Sequence, residues 1–247
     1  MNVKVVPEAK AVGREAARAV AAFILRHPRT VLGLATGTTM VPFYEDLVRL
    51  YREGLLDFSQ VTTFNLDEYC GVGADDPRSY HSFMREHLFR WVNLDATRIH
   101  LPDGMVEDAG SECERYEAVI DGAGGIDLQV LGIGVNGHIG FNEPHTGLGT
   151  ITHVTNLDPG TVTRNQRVTG ATEPLPHTAI SVGVKTIMRA RHLLLLAFGR
   201  DKAEALSQAL EGPITDEVPA SVLQLHPDLR VILDQDAAAK LQKTFLS

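Results

Sequence analysis

The chain alternates short apolar runs with longer amphipathic segments. Residues 30–34 form one such apolar run, and residues 41–51 then place apolar side chains at helical spacing. The first pattern predicts a strand buried on both faces, and the second predicts a helix with one apolar face. Because this order recurs along the chain, the sequence predicts an α/β protein in which helices cover a mostly parallel sheet.

The other predicted elements follow the same two patterns. The run at 193–198 is apolar throughout, and its shortness favours a buried strand over a helix. This run belongs to a strand predicted at 192–198, and further strands are predicted at 61–66 and 127–133. Further helices are predicted at 8–26, 79–91, 107–120, 202–210 and 235–245. No linker-like composition interrupts the pattern, so we expect a single domain over residues 1–247.

Composition narrows the possible partners. The chain has 247 residues, of which 44% are hydrophobic and 22% charged, and this balance supports a packed core and excludes a disordered chain. The formal net charge of -8 opposes binding to nucleic acid. The apolar stretch at 20–25 is too short to cross a bilayer, so no membrane association is expected. Two cysteines, Cys70 and Cys113, are too few for a disulfide framework, which predicts a reducing, cytoplasmic location.

Polar side chains follow several of the predicted strands. They lie at 35–39, 67–69, 134–138 and 199–202, each directly after an apolar run. In a parallel sheet the carboxyl ends of the strands share one edge, where helix N-termini point their free amides at a ligand. We therefore expect these groups to gather at one edge of the sheet.

The segment Ala35-Thr36-Gly37-Thr38-Thr39 joins a predicted strand to a predicted helix. Its amides and hydroxyls can surround an anion, although the sequence is not a Walker loop. The alternative is a tight turn in which a threonine caps the helix. Lys202, near the start of a later helix, can add positive charge at this edge, or it can be a solvated surface lysine.

Residues 131–137, with the sequence LGIGVNG, match the GxGxxG pattern of dinucleotide-binding folds. The context differs, because further glycines and Pro144 follow where a helix should begin. The sequence instead predicts a glycine-rich turn that presents His138 and Glu143. A histidine paired with a carboxylate is favoured over a metal site, since no HExxH spacing is present. A histidine that is merely hydrogen-bonded in a turn is the alternative.

Two features remain open from the residues alone. Asp67 and Glu68 are adjacent, so an extended backbone points them to opposite sides, and only one is expected to enter the crevice. Residues 158–177 are rich in glycine, threonine and proline, and they predict a mobile lid that carries Arg164 and Arg167 onto a bound phosphate. A flexible surface loop with solvated arginines is the alternative.

Together these segments resemble the glucosamine-6-phosphate deaminase family over essentially the whole chain. The strongest match is residues 131–144, LGIGVNGHIGFNEP, followed by residues 63–69, TFNLDEY. Weaker matches in the same order lie at 34–39, 211–213 and 223–227. The resemblance implies a Rossmann-like three-layer fold and the conversion of glucosamine 6-phosphate and water to fructose 6-phosphate and ammonia.

The resemblance also implies roles for individual residues. It assigns the C2 proton transfer to Asp67, ring opening to His138 and the charge partner of that histidine to Glu143. Some members carry an aspartate where this chain has Asn136. The amide is expected to orient the imidazole by hydrogen bonding but not to balance its charge, so the ring-opening step is expected to depend more on Glu143. The implied phosphate ligands are Thr36, Gly37, Thr38, Thr39, Arg167 and Lys202.

The expected ligand is thus a phosphorylated amino sugar, with neither a metal nor an organic cofactor. Asp67 and His138 are expected to face it from the same edge of the sheet. Monomer and homo-oligomer both remain open, and activation by a second sugar phosphate is not expected, because residues 147–155 offer only His153. Two other functions remain: a non-catalytic sugar-phosphate sensor and a hydrolase similar to 6-phosphogluconolactonase.

Overall fold

Helices and strands alternate along the residues that the computed structural model describes, which are 1–169 and 173–242, without the side chains of 167–169. The helices are α1 (Ala9–Arg26), α2 (Val41–Arg52), α3 (Tyr80–His87), α4 (Ala109–Gly122), α5 (Pro159–Thr169), α6 (Val184–Met188) and α7 (Ala203–Glu211). The strands are β1 (Asn2–Val6), β2 (Val31–Leu34), β3 (Thr62–Asn65), β4 (Asp67–Tyr69), β5 (Ile99–His100), β6 (Leu128–Leu131), β7 (His153–Asn156), β8 (Thr178–Ser181), β9 (His192–Ala197) and β10 (Leu229–Asp234).

The larger sheet confirms the predicted α/β fold. Its strands run in the order β1-β10-β9-β6-β2-β3-β5, and the neighbouring strands pair in parallel. β2 and β6 are buried along their whole length, as expected for strands covered by helices on both faces. From β2 the chain continues to β3 on one side, whereas β6, β9 and β10 lie on the other side. The boundary between β2 and β6 is thus a topological switch point, where ligands bind in such folds.

A second, antiparallel sheet in the order β4-β8-β7 was not predicted. Only Leu66 separates β4 from β3, and the Val182 amide donates to the Leu66 carbonyl at 2.7 Å. In the second sheet Asp67 pairs with Ser181, and His153 pairs with Ser181 from the other side. Their sequences are DEY, HVTN and TAIS, which lack the apolar run that predicted the strands of the larger sheet.

Two other predictions were wrong. The segment 158–177 was expected to be a loop, but it contains α5, whose first amides at Gly160 and Thr161 donate to the Asp158 carboxylate. The predicted helix at 235–245 is a series of turns over 235–240, where the Ala237 amide donates to Asp234, and residues 243–245 lie outside the described part. In both places one aspartate side chain decides the local backbone.

The predicted helix at 79–91 is shorter than expected. α3 ends at His87, Leu88 adopts φ -139°, and a single 3-10 turn covers Phe89–Trp91. The other helices and strands that the sequence predicted are present within a few residues of their expected bounds. None of the described helices is both long and apolar enough to cross a membrane.

Candidate active site

A cavity of 890 Å³ opens where β2, β6 and β9 end. Its lining includes most of the residues that the sequence singled out. Those residues are Thr36, Gly37, Thr38, Thr39, Asp67, Asn136, His138 and Lys202. Glu143 does not line the cavity but contacts His138, which does. The side chain of Arg167 is not among those that the structure describes. Polar groups from separate strand ends therefore meet in one space.

Asp67 is the buried carboxyl group of this cavity. It is only 5% exposed, and its Oδ1 atom has no hydrogen-bond partner among the described residues. Burial, and next the nearby charge of Glu68, raises the pKa of Asp67 to about 8. A carboxyl group held in this way is poised to exchange a proton near neutral pH.

Glu68 points away from the cavity and stabilises the start of α3. Its Oε1 accepts from the Tyr69 and Tyr80 amides at 2.9 Å. Its Oε2 accepts from the His81 amide at 2.9 Å and contacts the His81 ring nitrogen Nδ1 at 2.8 Å. The extended backbone of β4 thus separates the two acidic side chains, and the one that reaches the cavity is Asp67.

His138 and Glu143 form an ion-pair contact at the end of β6. The imidazole Nδ1 lies 3.3 Å from Glu143 Oε2, and the side chain of Glu143 is 9% exposed. Burial alone would raise the pKa of Glu143, but His138, the Thr161 hydroxyl and Asn136 together lower it to about 2. Glu143 is therefore ionised near neutral pH and can stabilise a protonated imidazole.

Asn136 holds this pair in place through its side-chain amide. Its Nδ2 donates to Glu143 Oε2 at 2.8 Å, and its Oδ1 accepts from the His138 backbone amide at 3.3 Å. The amide therefore contacts the carboxylate and the backbone. The predicted orientation of the imidazole ring by Asn136 is not observed, because its hydrogen bonds do not reach the ring.

Glycines shape the turn that carries His138. A Cβ at Gly134 would lie 2.3 Å from His138 Cε1, so the ring packs directly over the backbone at Gly134. Gly137 has φ +84°, a conformation that glycine adopts without strain. The Gly134 amide donates to the His138 carbonyl at 2.9 Å and closes the turn. No helix follows, as the sequence predicted. The glycines of the GxGxxG pattern therefore position His138 here.

The threonine loop, residues 35–39, follows β2. Gly37 has φ +98°, and a single 3-10 turn, Thr38–Met40, leads into α2. The positions that precede this turn and α2 are Gly37 and Met40, so no threonine side chain caps either helix. The hydroxyls of this loop line the cavity, as an anion site requires.

Lys202 approaches the same cavity from β9. The chain turns at Gly199, with φ +88°, and a 3-10 turn at Arg200–Lys202 leads into α7. The Lys202 Nζ donates to the Ile133 carbonyl at 2.8 Å. Burial lowers the pKa of this amine to about 8, partly offset by Asp201. Lys202 is thus held in place by the loop that precedes His138.

Helix α5 covers one side of the cavity. Thr161, Arg164 and Asn165 line it, and Arg164 Nη1 forms an exposed ion pair with Asp201 Oδ2 at 2.8 Å. Sequence reasoning missed Thr161, Asn165 and Tyr80 as residues of this cavity. Thr161 lies three residues after Asp158, and Tyr80 lies one residue after Ser79. Asp158 and Ser79 each cap a helix, and these capping positions were the sequence signal that could have identified Thr161 and Tyr80.

Two segments that matched the family pattern, 211–213 and 223–227, contribute to packing and not to the cavity. Gln224 Nε2 donates to the carbonyls of Ala209 and Gly212, both at 3.0 Å. The His226 Nε2 lies 2.8 Å from the Ala190 carbonyl oxygen, and this histidine is buried. Neither side chain lines the cavity. Over the described residues, no group of three or more histidine, cysteine or acidic side chains is placed to hold a metal ion.

Comparison with known proteins places this fold and cavity in a family. Residues 7–231 match the family model of glucosamine-6-phosphate isomerases and 6-phosphogluconolactonases. A glucosamine-6-phosphate deaminase of Thermoanaerobacter pseudethanolicus is 46% identical over 239 residues, which cover 97% of this chain and 94% of that protein. One of Halothermothrix orenii is 46% identical over 241 residues, covering 98% of this chain and 100% of that protein.

Solved structures agree with the sequence matches. A monomeric glucosamine-6-phosphate deaminase superposes with a TM-score of 0.93 at 41% identity, covering 97% of this chain and 100% of the other. A 6-phosphogluconolactonase from Leishmania guyanensis shares the fold, with a TM-score of 0.76 at 20% identity over 98% and 99% of the two chains. This chain therefore belongs to the family of glucosamine-6-phosphate isomerases and 6-phosphogluconolactonases.

Proposed function

We propose that the protein is a glucosamine-6-phosphate deaminase, which converts glucosamine 6-phosphate and water to fructose 6-phosphate and ammonia. The observation that carries this proposal is that Asp67 and His138 line one cavity, although they follow different strands. The close relatives named above carry the same activity in their names. The side chains of this cavity can carry out the successive steps of that reaction.

The phosphate group binds at the threonine loop and Lys202. Backbone amides at the start of the 3-10 turn, the loop hydroxyls and one ammonium group offer the donors that a phosphate needs. A bound phosphate raises the pKa of Lys202 again, because an anion favours the charged amine. Arg164 supports the same region from α5, and the family resemblance adds Arg167. Binding this remote group orients the sugar ring for the later steps.

His138 opens the sugar ring. A closed pyranose has no free carbonyl, so a proton must pass from the anomeric hydroxyl to the ring oxygen. An imidazole can accept the first proton and donate the second near neutral pH. Glu143, ionised and 3.3 Å from Nδ1, stabilises the imidazolium that forms between these two transfers. Asn136 keeps the carboxylate at that distance.

Asp67 moves the proton from C2 to C1 of the opened sugar. The C1 carbonyl makes the C2 hydrogen acidic, and the Asp67 carboxylate removes it. A proton of the substrate ammonium group passes to O1, which gives a neutral enolamine. The acid then returns the proton to C1, and the nitrogen at C2 becomes an iminium. Water adds to C2, and ammonia leaves. The ammonium group of the arriving substrate lowers the raised pKa of Asp67, because an adjacent cation favours the carboxylate.

The two alternative functions fit the cavity less well. Lactone hydrolysis, the reaction of 6-phosphogluconolactonases, needs no base at C2, and the structural likeness to that enzyme at 20% identity concerns the fold. A sensor without turnover needs neither a buried carboxyl group nor an ion-paired histidine. The pairing of a proton-exchanging Asp67 with His138 and Glu143 therefore favours the deaminase.

We also propose a cytoplasmic location, supported by two unpaired thiols, Cys70 and Cys113, and by a phosphorylated substrate. The ligand is a small phosphorylated amino sugar.

Ammonia release from glucosamine 6-phosphate tests the proposed function. The purified protein is expected to release ammonia and fructose 6-phosphate in equal amounts. The Asp67→Asn variant is expected to bind the product fructose 6-phosphate and to release no measurable ammonia. Failure of the wild-type protein to release ammonia at millimolar substrate, together with hydrolysis of 6-phosphogluconolactone, would overturn the proposal in favour of a lactonase.

A further inference from the structure

We infer that Ser181 and Asn142 are positioning residues that hold Asp67 and His138 in a fixed arrangement, a role that rests on the proposed function. Neither of the two side chains lines the cavity, so neither is placed to touch the substrate. Both are fully buried. They act through the two backbone segments that carry the catalytic side chains.

The strand that carries Asp67 is held by the end of β8. Asp67 lies opposite Ser181 in the antiparallel pairing of β4 with β8. The next residue, Val182, donates its amide hydrogen to the Leu66 carbonyl at 2.7 Å. Leu66 and Val182 are both buried, so bulk water competes little for this bond. Residues 181 and 182 therefore fix the backbone on both sides of the Leu66–Asp67 peptide.

The turn that carries the imidazole is held by the same two residues of β8. The Phe141 amide donates to Ser181 Oγ at 2.9 Å. The Asn142 side-chain nitrogen, Nδ2, donates to the Val182 carbonyl at 2.9 Å. Phe141 and Asn142 directly precede Glu143 in the chain. Residues 181 and 182 thus each contact both catalytic segments, and they connect one segment to the other.

The side chain of Asn142 also closes the turn on itself. Its Nδ2 donates a second hydrogen to the Ile139 carbonyl at 2.8 Å, and Ile139 directly follows His138. Both hydrogens of the amide are therefore used. In the reversed orientation the amide oxygen would face two carbonyl oxygens, so the contacts favour this orientation alone. One side chain thereby fixes the turn at both ends and attaches it to β8.

Gly140 lies where the two catalytic segments meet. A Cβ at this position would be 3.2 Å from Ser181 Oγ, 3.5 Å from Asn142 Nδ2 and 3.7 Å from Asp67 Oδ2. The φ of +57° at Gly140 is one that glycine adopts without strain. The two positioning side chains and the carboxyl group of Asp67 therefore surround one point of the turn. A movement of the turn changes the surroundings of Asp67.

The arrangement matters because the two catalytic groups act on the same bound sugar. In the proposed reaction Asp67 moves a proton between C2 and C1, and His138 moves protons at the anomeric hydroxyl and the ring oxygen. A displacement of about 1 Å of one group relative to the other can cost ~10²-fold in rate. The threonine loop and Lys202 belong to neither segment, so phosphate binding does not depend on Ser181 or Asn142.

Steady-state kinetics and inorganic-phosphate titration of Ser181→Ala and Asn142→Ala test the inference. Ser181→Ala removes a single hydroxyl, so it carries the test if Asn142→Ala does not fold. The matched control is Gln224→Ala, because Gln224 Nε2 also donates to two backbone carbonyls and its side chain does not line the cavity. Thermal melting of all three variants sets an assay temperature at which each is folded.

In Ser181→Ala and Asn142→Ala we expect kcat for ammonia release to fall by roughly 10- to 100-fold, because the two catalytic groups are no longer aligned. The KM for glucosamine 6-phosphate and the Kd for inorganic phosphate should stay within about twofold of the wild type, since the phosphate ligands are untouched. Gln224→Ala should keep the kcat of the wild type, even where its melting temperature falls as far.

Hydrogen exchange of the Phe141 amide, followed by NMR, measures the same arrangement without turnover. In Asn142→Ala the Phe141 amide keeps its own acceptor, Ser181 Oγ. It is nevertheless expected to exchange roughly three- to tenfold faster, because the turn has lost its other attachment to β8. Its exchange in Gln224→Ala should match that of the wild type.

Wild-type kcat in both Ser181→Ala and Asn142→Ala would overturn the inference. A loss of phosphate affinity as large as the loss of kcat, or an equal loss of kcat in Gln224→Ala, would also overturn it, because either result indicates general damage to the fold. A wild-type protein that releases no ammonia, with the expected exchange in Asn142→Ala, loses the proposed function and keeps the two attachments. An active deaminase whose variants keep full kcat retains the function and loses the positioning role.

Discussion

The imidazole Nδ1 of His138 lies 3.3 Å from the Glu143 carboxylate, and Asn136 donates to the same carboxylate oxygen at 2.8 Å. The chain therefore has one ionised carboxylate beside its histidine, and the neutral amide of Asn136 also contacts this carboxylate. We expect Glu143 to balance the charge of an imidazolium formed during ring opening.

Glu143→Gln is expected to lower kcat by roughly 10²-fold, because the neutral amide cannot balance the imidazolium and one assisted proton transfer is impaired. Steady-state assays of ammonia release measure this change. Asn136→Asp in the Glu143→Gln background is the control, since it restores a negative charge in the same turn. Recovery of at least part of kcat is expected in the double variant, whereas equal activity of Glu143→Gln and wild type would contradict this role for Glu143.

Asp67→Asn is expected to abolish deamination and to stabilise the fold at alkaline pH. The pKa of Asp67 is raised from 3.8 to about 8, so the stability that this group contributes is fully present below pH 3.8 and is lost as the pH rises through 8. Asparagine is neutral throughout, so the variant does not lose stability over this range. Near pH 8.5 we expect the melting temperature of the variant to exceed that of the wild type by roughly 3–10 °C.

Calorimetric scans at pH 4 and pH 8.5 measure this difference, which should nearly vanish at the lower pH. Asp75→Asn is the matched control, because the side chain of Asp75 is 94% exposed and should not change the pH dependence of stability. A constant difference between Asp67→Asn and wild type at both pH values would argue against a buried, proton-binding Asp67.

The pH profile of kcat/KM should be bell-shaped with a maximum near pH 8. Asp67 must lose its proton to act as a base, and its pKa of about 8 in the free enzyme gives the rising limb. Lys202 must keep its proton to bind the phosphate, and its pKa of about 8 gives the falling limb. In Lys202→Arg the falling limb should move to higher pH, since a guanidinium stays charged. An unchanged falling limb would assign it to another group.

Gly134→Ala is expected to reduce kcat by roughly 10²-fold with little change in substrate binding, because an added Cβ would meet the His138 ring at 2.3 Å and displace it. Gly149→Ala is the control, as nothing lies within 4 Å of a Cβ at that position. Ammonia release and thermal melting are measured for both. Full activity in Gly134→Ala would show that the ring need not pack over this glycine.

Helix α5 is expected to be mobile without ligand and to become protected when fructose 6-phosphate binds. Its contacts to the strand ends include the exposed pair between Arg164 and Asp201, which contributes little by itself. Hydrogen exchange of amides 160–166 should slow several-fold on ligand binding, while amides of the fully buried β2 serve as the unaffected reference. Equal exchange of amides 160–166 with and without ligand would contradict a lid role.

The sequence by itself determined the parallel sheet and the edge at which the chemistry gathers. Buried strands appear in the sequence as apolar runs, and parallel strands end at a common edge. The positions of Thr36, His138 and Lys202 after such runs therefore predict that they lie together. The glycines around His138 likewise excluded a helix there, since the chain needs φ values that only glycine adopts easily.

The alternation of side chains separates Asp67 from Glu68 but does not say which of them faces the cavity. The family resemblance favoured Asp67, and the tertiary structure supplies the physical reason. The choice follows from the pairing of β4 with β8, whose residues lie over 100 positions later in the chain, and from the α3 amides that bind Glu68. The hydrogen bond from Asn165 to Tyr69 was also invisible in the sequence. Contacts between distant segments depend on how elements pack, and local patterns of hydrophobicity carry no information about that packing.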